Sequence, residues 1–304
     1  MANVSVLTPK DDGLLIDFLK SLPDASIYHT PMWRQVLTQT YGYKDYYLAS
    51  WEDGNLVALM PLMLVESWLT GKRLVSLPFS NFCGPVGDQT KFSALIDEAI
   101  RLSTNLRVRA LEIRTQADVN DLADNRFRRV SYFLTSIVQL DSDPDRVWKR
   151  FKDRNVRTEV RQAIKKGVEV DEASDTKELE EFYRLFTLTR LKHGVPPQPF
   201  KFFRNLWKYL YPDYLRLFIA RHSGQIVGGL ITLSFGSTMC AAYIGSDENF
   251  RSYRVHQLLF WRAMETGCKE GRARFDFLRT PKQSKSLRYF KPVSYTHLTL
   301  PTKA

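Results

Sequence analysis

No run of this 304-residue chain approaches the roughly 18 to 20 apolar residues that a bilayer-spanning helix needs, so none is expected. Cysteine is scarce: Cys83, Cys240 and Cys268 are an odd number in unrelated contexts, with no Cys-x-x-Cys pair. That argues against a disulfide framework or a zinc site and points to a reduced cytoplasm. The five histidines form no metal-binding pattern. A Gly-x-Ser-x-Gly elbow is also missing, so neither serine nor cysteine is expected as nucleophile. The start, Met1-Ala2-Asn3-Val4, lacks the basic and apolar regions of a secretory signal.

What is present is globular and basic. Hydrophobic residues make up 44% and charged residues 25%, which suits two domains with real cores and not a disordered chain. The net charge of +11 favours anionic partners such as coenzyme A, tRNA, lipid headgroups or nucleic acid, without choosing among them.

Two halves run through the same order of local signals. Tyr46 to Ser50, the turn Glu52-Asp53-Gly54-Asn55 and Leu56 to Val65 read as a β-hairpin; so do Leu215 to Arg221, His222-Ser223-Gly224-Gln225 and Ile226 to Phe235. Each hairpin leads to an amphipathic helix, about Phe92 to Ser103 and Val255 to Glu270. A strand with one acid and a terminal arginine follows, Val108 to Arg114 and Ala273 to Arg279. The fold class is therefore α/β, a duplicated mixed sheet with helices packed on it.

The first half opens with helices near Asp11 to Leu22 and Pro31 to Thr40, the latter with Thr30 as N-cap. Phe127 to Leu140 reads as its closing strand. No low-complexity linker follows; Asp141-Ser142-Asp143-Pro144 is the boundary and caps the next helix. In the segment Arg154 to Gly167, Val156, Val160 and Ile164 form an apolar stripe. Arg154, Arg157, Arg161 and Lys165 line an adjacent face, either as a solvated surface or as an anion site. Helices at Thr176 to Leu191 and Phe200 to Leu210 flank the stiff loop His193-Gly194-Val195-Pro196-Pro197-Gln198-Pro199. In that loop, His193 is a catalytic candidate or a loop-positioning donor.

Together, Arg154 to Val170, His193 to Phe200 and Gly271 to Arg279 resemble the FemAB-like acyltransferases of the GNAT superfamily, and in particular the BioF2-like acetyltransferase branch. Met60-Pro61-Leu62 and Leu74 to Phe79 are similar to the first half of those proteins. The resemblance implies two tandem GNAT-like domains: a degenerate one over 1–141 and an acyltransferase domain over 142–292. Residues 293–304 resemble a translated sequencing adapter and are expected to be an artefactual tail that truncates the second domain. It also implies transfer of an acyl group from acyl-CoA to an amine on a cell-envelope or exopolysaccharide precursor, with no tightly bound cofactor. The alternatives are aminoacyl-tRNA-dependent transfer to a lipid-linked peptidoglycan precursor, or a basic adaptor for RNA or anionic lipid. The location implied is cytoplasmic, with peripheral contact to an anionic membrane, and no DNA is expected.

Three departures stand out. The superfamily's pyrophosphate loop, Arg/Gln-x-x-Gly-x-Gly/Ala, is replaced by Arg251-Ser252-Tyr253-Arg254-Val255-His256, and the glycine common after the Asp-Phe pair is Leu278. There is also no heptad arm like that of the peptidoglycan-bridge enzymes. Within this frame Asp276 is the expected general base or amine anchor, and His256 a base or donor near the acyl carrier. Arg279 is an anion contact, and Arg251, Ser252 and Arg254 are donor contacts. Tyr289 and Lys291 match a substrate-side segment of the family. Against the catalytic reading, Glu112-x-Arg114 repeats the acid-base pattern in the first half, as an inherited internal ion pair would.

Overall fold

The computed structural model describes residues 3–67, 71–115, 126–128, 133–151 and 154–281, without the side chains of Asn3, Arg154, Asn155 and Pro281. Tyr289, Lys291 and the adapter-like stretch therefore lie outside the described residues, as does the Arg154 side chain. The chain divides into two compact units between Leu134 and Thr135.

In the first unit come β1 (Asn3–Leu7), α1 (Asp12–Ser21), α2 (Pro31–Tyr41), β2 (Lys44–Glu52), β3 (Asn55–Ser67), β4 (Gly71–Val75), β5 (Val86–Gly87), α3 (Phe92–Asn105) and β6 (Ala110–Glu112). The sheet order is β1-β2-β3-β4-β6, with β5 against β3. The neighbouring strands are antiparallel except β4 and β6, which are parallel. Local chemistry sets the element ends. Thr30 Oγ1 accepts from Trp33 N at the start of α2, Pro31 fills its first position, and Gly42 ends it in the left-handed region. Leu48, Met60, Leu62 and Leu74 on the sheet meet Leu95, Ile96 and Ala99 on α3.

The second unit holds β7 (Phe133–Gln139), α4 (Pro144–Arg150), α5 (Arg154–Lys165), β8 (Val168–Glu172), α6 (Thr176–Lys192), α7 (Phe200–Leu210), β9 (Leu215–His222), β10 (Gln225–Phe235), β11 (Thr238–Ser246), α8 (Val255–Lys269) and β12 (Arg274–Pro281). Its sheet order is β7-β12-β11-β10-β9-β8. Asp143 caps α4 as its sequence suggests, its side chain accepting from Asp145 N. Leu230, Met239 and Phe275 on the sheet pack with Leu258, Leu259 and Met264 on α8, which buries nine residues.

The repeat is built the same way twice. Both hairpins close through a two-residue turn with positive φ at each position, Asp53 and Gly54 in one and Ser223 and Gly224 in the other. That geometry matches the right-handed twist of the strands. Each hairpin is followed by a third antiparallel strand, a crossing helix and a parallel strand.

Three expectations change. The strand anticipated over 127–140 as the end of the first half runs from Phe133 to Gln139 and belongs to the second sheet. Val138 and Leu140 bury against that unit's core, and Leu140 N donates to Ala273 O. The strand at 108–114 pairs only over Ala110–Glu112, because Arg114 turns onto the preceding loop. On α5 the buried positions are Val160 and Ala163, while Ile164 is 52% exposed. The apolar stripe thus follows 3.6-residue spacing through Val160 and Ala163 and leaves Ile164 outside it.

Candidate active site

The second sheet opens between its two parallel strands. β11 and β12 pair from Thr238 with Arg274 to Cys240 with Asp276. Among the described residues no pair continues the ladder, although β11 runs on to Ser246 and β12 to Pro281. Two features shape this opening. On one side α6 lies directly on β11: a Cβ on Gly245 would sit 2.5 Å from Phe186 N. Thr189 Oγ1 also accepts from Ser246 N at 3.2 Å. On the other side β12 kinks at Leu278, whose φ is +59°. This residue, where the family resemblance leads one to expect glycine, is therefore left-handed, at a cost of about 1–2 kcal/mol for a residue with a Cβ.

Asp276 holds that kink. Its side chain is buried, and its Oδ1 accepts from Leu278 N at 2.7 Å. A charge-assisted bond of this kind offsets the backbone strain and turns the strand toward Arg279. The carboxylate thus has a structural duty whatever else it does. Cys240, its partner in register, is buried, as are Cys83 and Cys268. Burial pushes the Cys83 thiol well up, so it is no nucleophile.

His256 is the second residue of α8, with its Nε2 closed off from solvent. Burial pulls the imidazole down to about 4, so it is neutral at physiological pH. A neutral imidazole suits hydrogen bonding to the donor better than strong base catalysis.

The segment before α8 is a 3-10 turn, Glu248–Tyr253, and the glycine-free run Arg251 to His256 spans its end and the start of α8. Asp247 caps it by accepting from Asn249 N, and Arg254 leaves it in the left-handed region at φ +58°. Outside contacts lock it from both flanks. Lys166 donates to Ser252 O at 2.7 Å and lies over the Tyr253 ring. Arg254 pairs with Glu159 of α5 at 3.6 Å. Lys192, at the end of α6, pairs with Glu248. The hydrogen bond from Lys192 holds the Glu248 carboxyl below its usual value, with smaller contributions from Arg251 and His193.

The structure thus gathers His193, Arg251, Ser252 and Arg254 around one polar segment, with Arg157, Arg161 and Lys165 on the neighbouring α5. Arg161 and Lys165 are exposed, and Arg161 lies over the Trp148 ring. Asp276 and Arg279 stand apart on β12. Lys166 and Glu159, which tie α5 to this segment, were not singled out in the sequence. Glu159 gave a signal as the lone acid among the α5 cations.

His193 has a clear backbone role. Gly194, at φ +64°, donates to Leu191 O and Val195 N donates to Arg190 O, a Schellman motif with His193 as C-cap and its side chain exposed.

The corresponding opening in the first unit is stitched shut. β4 and β6 pair over three residues, ending with Val75 and Glu112. Beyond them Ser76 N donates to Glu112 O, and Arg114 N donates to Ser76 Oγ at 2.7 Å. The Arg114 guanidinium pairs with Glu112 at 2.8 Å and donates to the carbonyls of Leu77 and Ser80. The acid-base pair foreseen there is an internal ion pair, and the space between the strands is filled by the protein's own polar groups.

Comparison with known proteins agrees with this geometry. Residues 151–290 match the acetyltransferase (GNAT) domain family. The chain is 24% identical over 277 residues to the UDP-N-acetylmuramoylpentapeptide-lysine N(6)-alanyltransferase of Weissella viridescens, covering 82% of this chain and 80% of that protein. Among solved structures, FemX superposes with a TM-score of 0.74 at 18% identity, covering 98% of this chain and 95% of FemX. A conserved protein of unknown function from Bacteroides thetaiotaomicron superposes at 0.67 with 13% identity, covering 100% and 99% of the two chains. The opening in the second unit, the repeated sheet and these matches give the chain an acetyltransferase (GNAT) domain over residues 151–290 and a likeness to the alanyltransferase and to FemX over most of its length.

Proposed function

We propose that this enzyme transfers an aminoacyl group from aminoacyl-tRNA to an amine on a peptidoglycan precursor. The observation that carries this reading is the segment before α8. In the superfamily that the chain resembles, a glycine-rich run of backbone N–H groups at the start of the helix holds the coenzyme A pyrophosphate. Here that run is a 3-10 turn capped by Asp247 and carrying Glu248. Cations are instead spread along α5 and at Arg251 and Arg254, an arrangement suited to a polynucleotide with many separate phosphates. The alanyltransferase relative supports the acceptor class.

In the reaction, the acceptor amine attacks the ester carbonyl carbon, forming the C–N bond. The C–O bond to the ribose then breaks, and the ribose oxygen takes a proton as the amine loses one. Asp276 keeps β12 kinked through Oδ1, and its carboxylate receives the amine proton. His256, held neutral, hydrogen-bonds at the donor end, and Arg279 contacts the anionic acceptor.

A second reading is favoured by the GNAT family match: acyl transfer from acyl-CoA to an amine of an exopolysaccharide precursor. The two part in a transfer assay with labelled alanyl-tRNA or acetyl-CoA and UDP-N-acetylmuramoyl-pentapeptide as acceptor. Label on the peptide lysine from the tRNA donor supports the first reading. Label from acetyl-CoA alone overturns it in favour of the second.

A further inference from the structure

Between Glu181 and Asp213 the chain has no aspartate or glutamate. This acid-free stretch carries Arg184, Arg190, Lys192, Lys201, Arg204 and Lys208. It forms the C-terminal half of α6, the Schellman turn, the proline loop and α7. On α7, Phe202, Phe203, Leu206 and Leu210 are buried, which turns Lys201, Arg204 and Lys208 outward at spacings of three and four. All three are exposed, and among the described residues none forms an ion pair. Aromatic rings lie between them. Arg204 sits over the Phe200 ring, Lys208 over the Tyr209 ring, and Trp207 stacks on Tyr211 at 3.9 Å. On α6, Arg184, Leu188, Leu191 and Lys192 share one outward face by their spacing. Leu188 is 52% exposed and Leu191 59%, and Val195 just beyond the helix is 38% exposed.

We propose that this α6–α7 hairpin docks the enzyme onto an anionic lipid bilayer. Cations reach headgroup phosphates, half-buried tryptophan and tyrosine suit the interface, and exposed aliphatic side chains enter the acyl boundary. An RNA partner would use the cations and rings but has no place for Leu188, Leu191 and Val195. The docking also deepens the proposed function, on which this one point rests. α6 packs on β11 at Gly245, so a docked hairpin holds the strand opening beside a lipid-linked acceptor.

The test is co-sedimentation of the full chain with vesicles of phosphatidylcholine alone or with one quarter phosphatidylglycerol. Binding is expected only to the anionic vesicles, weakening with salt. K201Q/R204Q/K208Q lowers it about fivefold per cation, roughly 100-fold together. L188N/L191N abolishes the binding that survives high salt. Circular dichroism of both variants checks that they are folded. Equal binding to both vesicle types overturns the proposal. So does a triple variant that binds like the parent, or one that loses tRNA binding while keeping vesicle binding. Transfer to the soluble UDP-linked precursor needs no membrane, so that assay stands or falls separately.

Discussion

Replacing Asp276 separates its structural duty from its chemical one. In Asp276→Asn the side-chain oxygen still accepts from Leu278 N, but the bond loses its charge. Charged hydrogen bonds contribute about 1.5–3 kcal/mol and neutral ones about 0.5–1.5, so a stability loss near 1 kcal/mol is expected. Asp276→Ala removes the acceptor and leaves the Leu278 N–H buried without it. That costs about 1–3 kcal/mol, and the strained φ of Leu278 is no longer held. Alanine should therefore destabilise more than asparagine in urea titrations. If the carboxylate also receives the amine proton, asparagine lowers kcat by about 10²–10⁴-fold with KM little changed. Asparagine retaining kcat within about threefold would refute the proton-acceptor role and leave Asp276 as a positioning residue. A larger stability loss for asparagine than for alanine would refute the latch.

Other outcomes follow from the same contacts. His29 is buried, with its ring nitrogens on Ser26 and the Gly84 carbonyl, and burial lowers it from 6.5 to about 4. Its contribution is complete above pH 6.5. It is lost as pH falls toward 4, because the unfolded chain takes up a proton that the folded one refuses, up to about 3 kcal/mol. Urea titrations of the parent and of His29→Gln at pH 7.5 and 4.5 should show a smaller acid loss in the variant. Gly245→Ala must push α6 off β11 by about an ångström and should destabilise by about 1–3 kcal/mol or more; an unchanged urea midpoint would refute that packing. Lys166→Met frees the Ser252 carbonyl and should weaken donor binding while leaving stability within about 1 kcal/mol, read by donor titration and melting.

Much of the architecture was legible because duplicated local signals are strong. The turns at Asp53-Gly54 and Ser223-Gly224, the Thr30 cap and the α7 boundaries all rest on short-range chemistry. Sheet membership was not legible for β7, since strand propensity does not name a partner and long-range pairing with β12 decides it. At the site, Asp276 and the segment 251–254 stood out as residue types. Their coupling did not: Leu278's left-handed φ, the Glu159 tie to Arg254 and the Lys166 bond to Ser252 exist only once α5, α8 and β12 are folded. The bond from Leu278 N to the Asp276 carboxylate was likewise not legible from the residue type.

The most direct test supplies alanyl-tRNA and acetyl-CoA together with UDP-N-acetylmuramoyl-pentapeptide and reads the product by mass spectrometry, with Asp276→Asn in parallel. Alanine on the lysine amine, made by the parent enzyme and at least 100-fold more slowly by the variant, is the predicted result. Acetylated product, or alanine transfer at equal rates by both proteins, would contradict it.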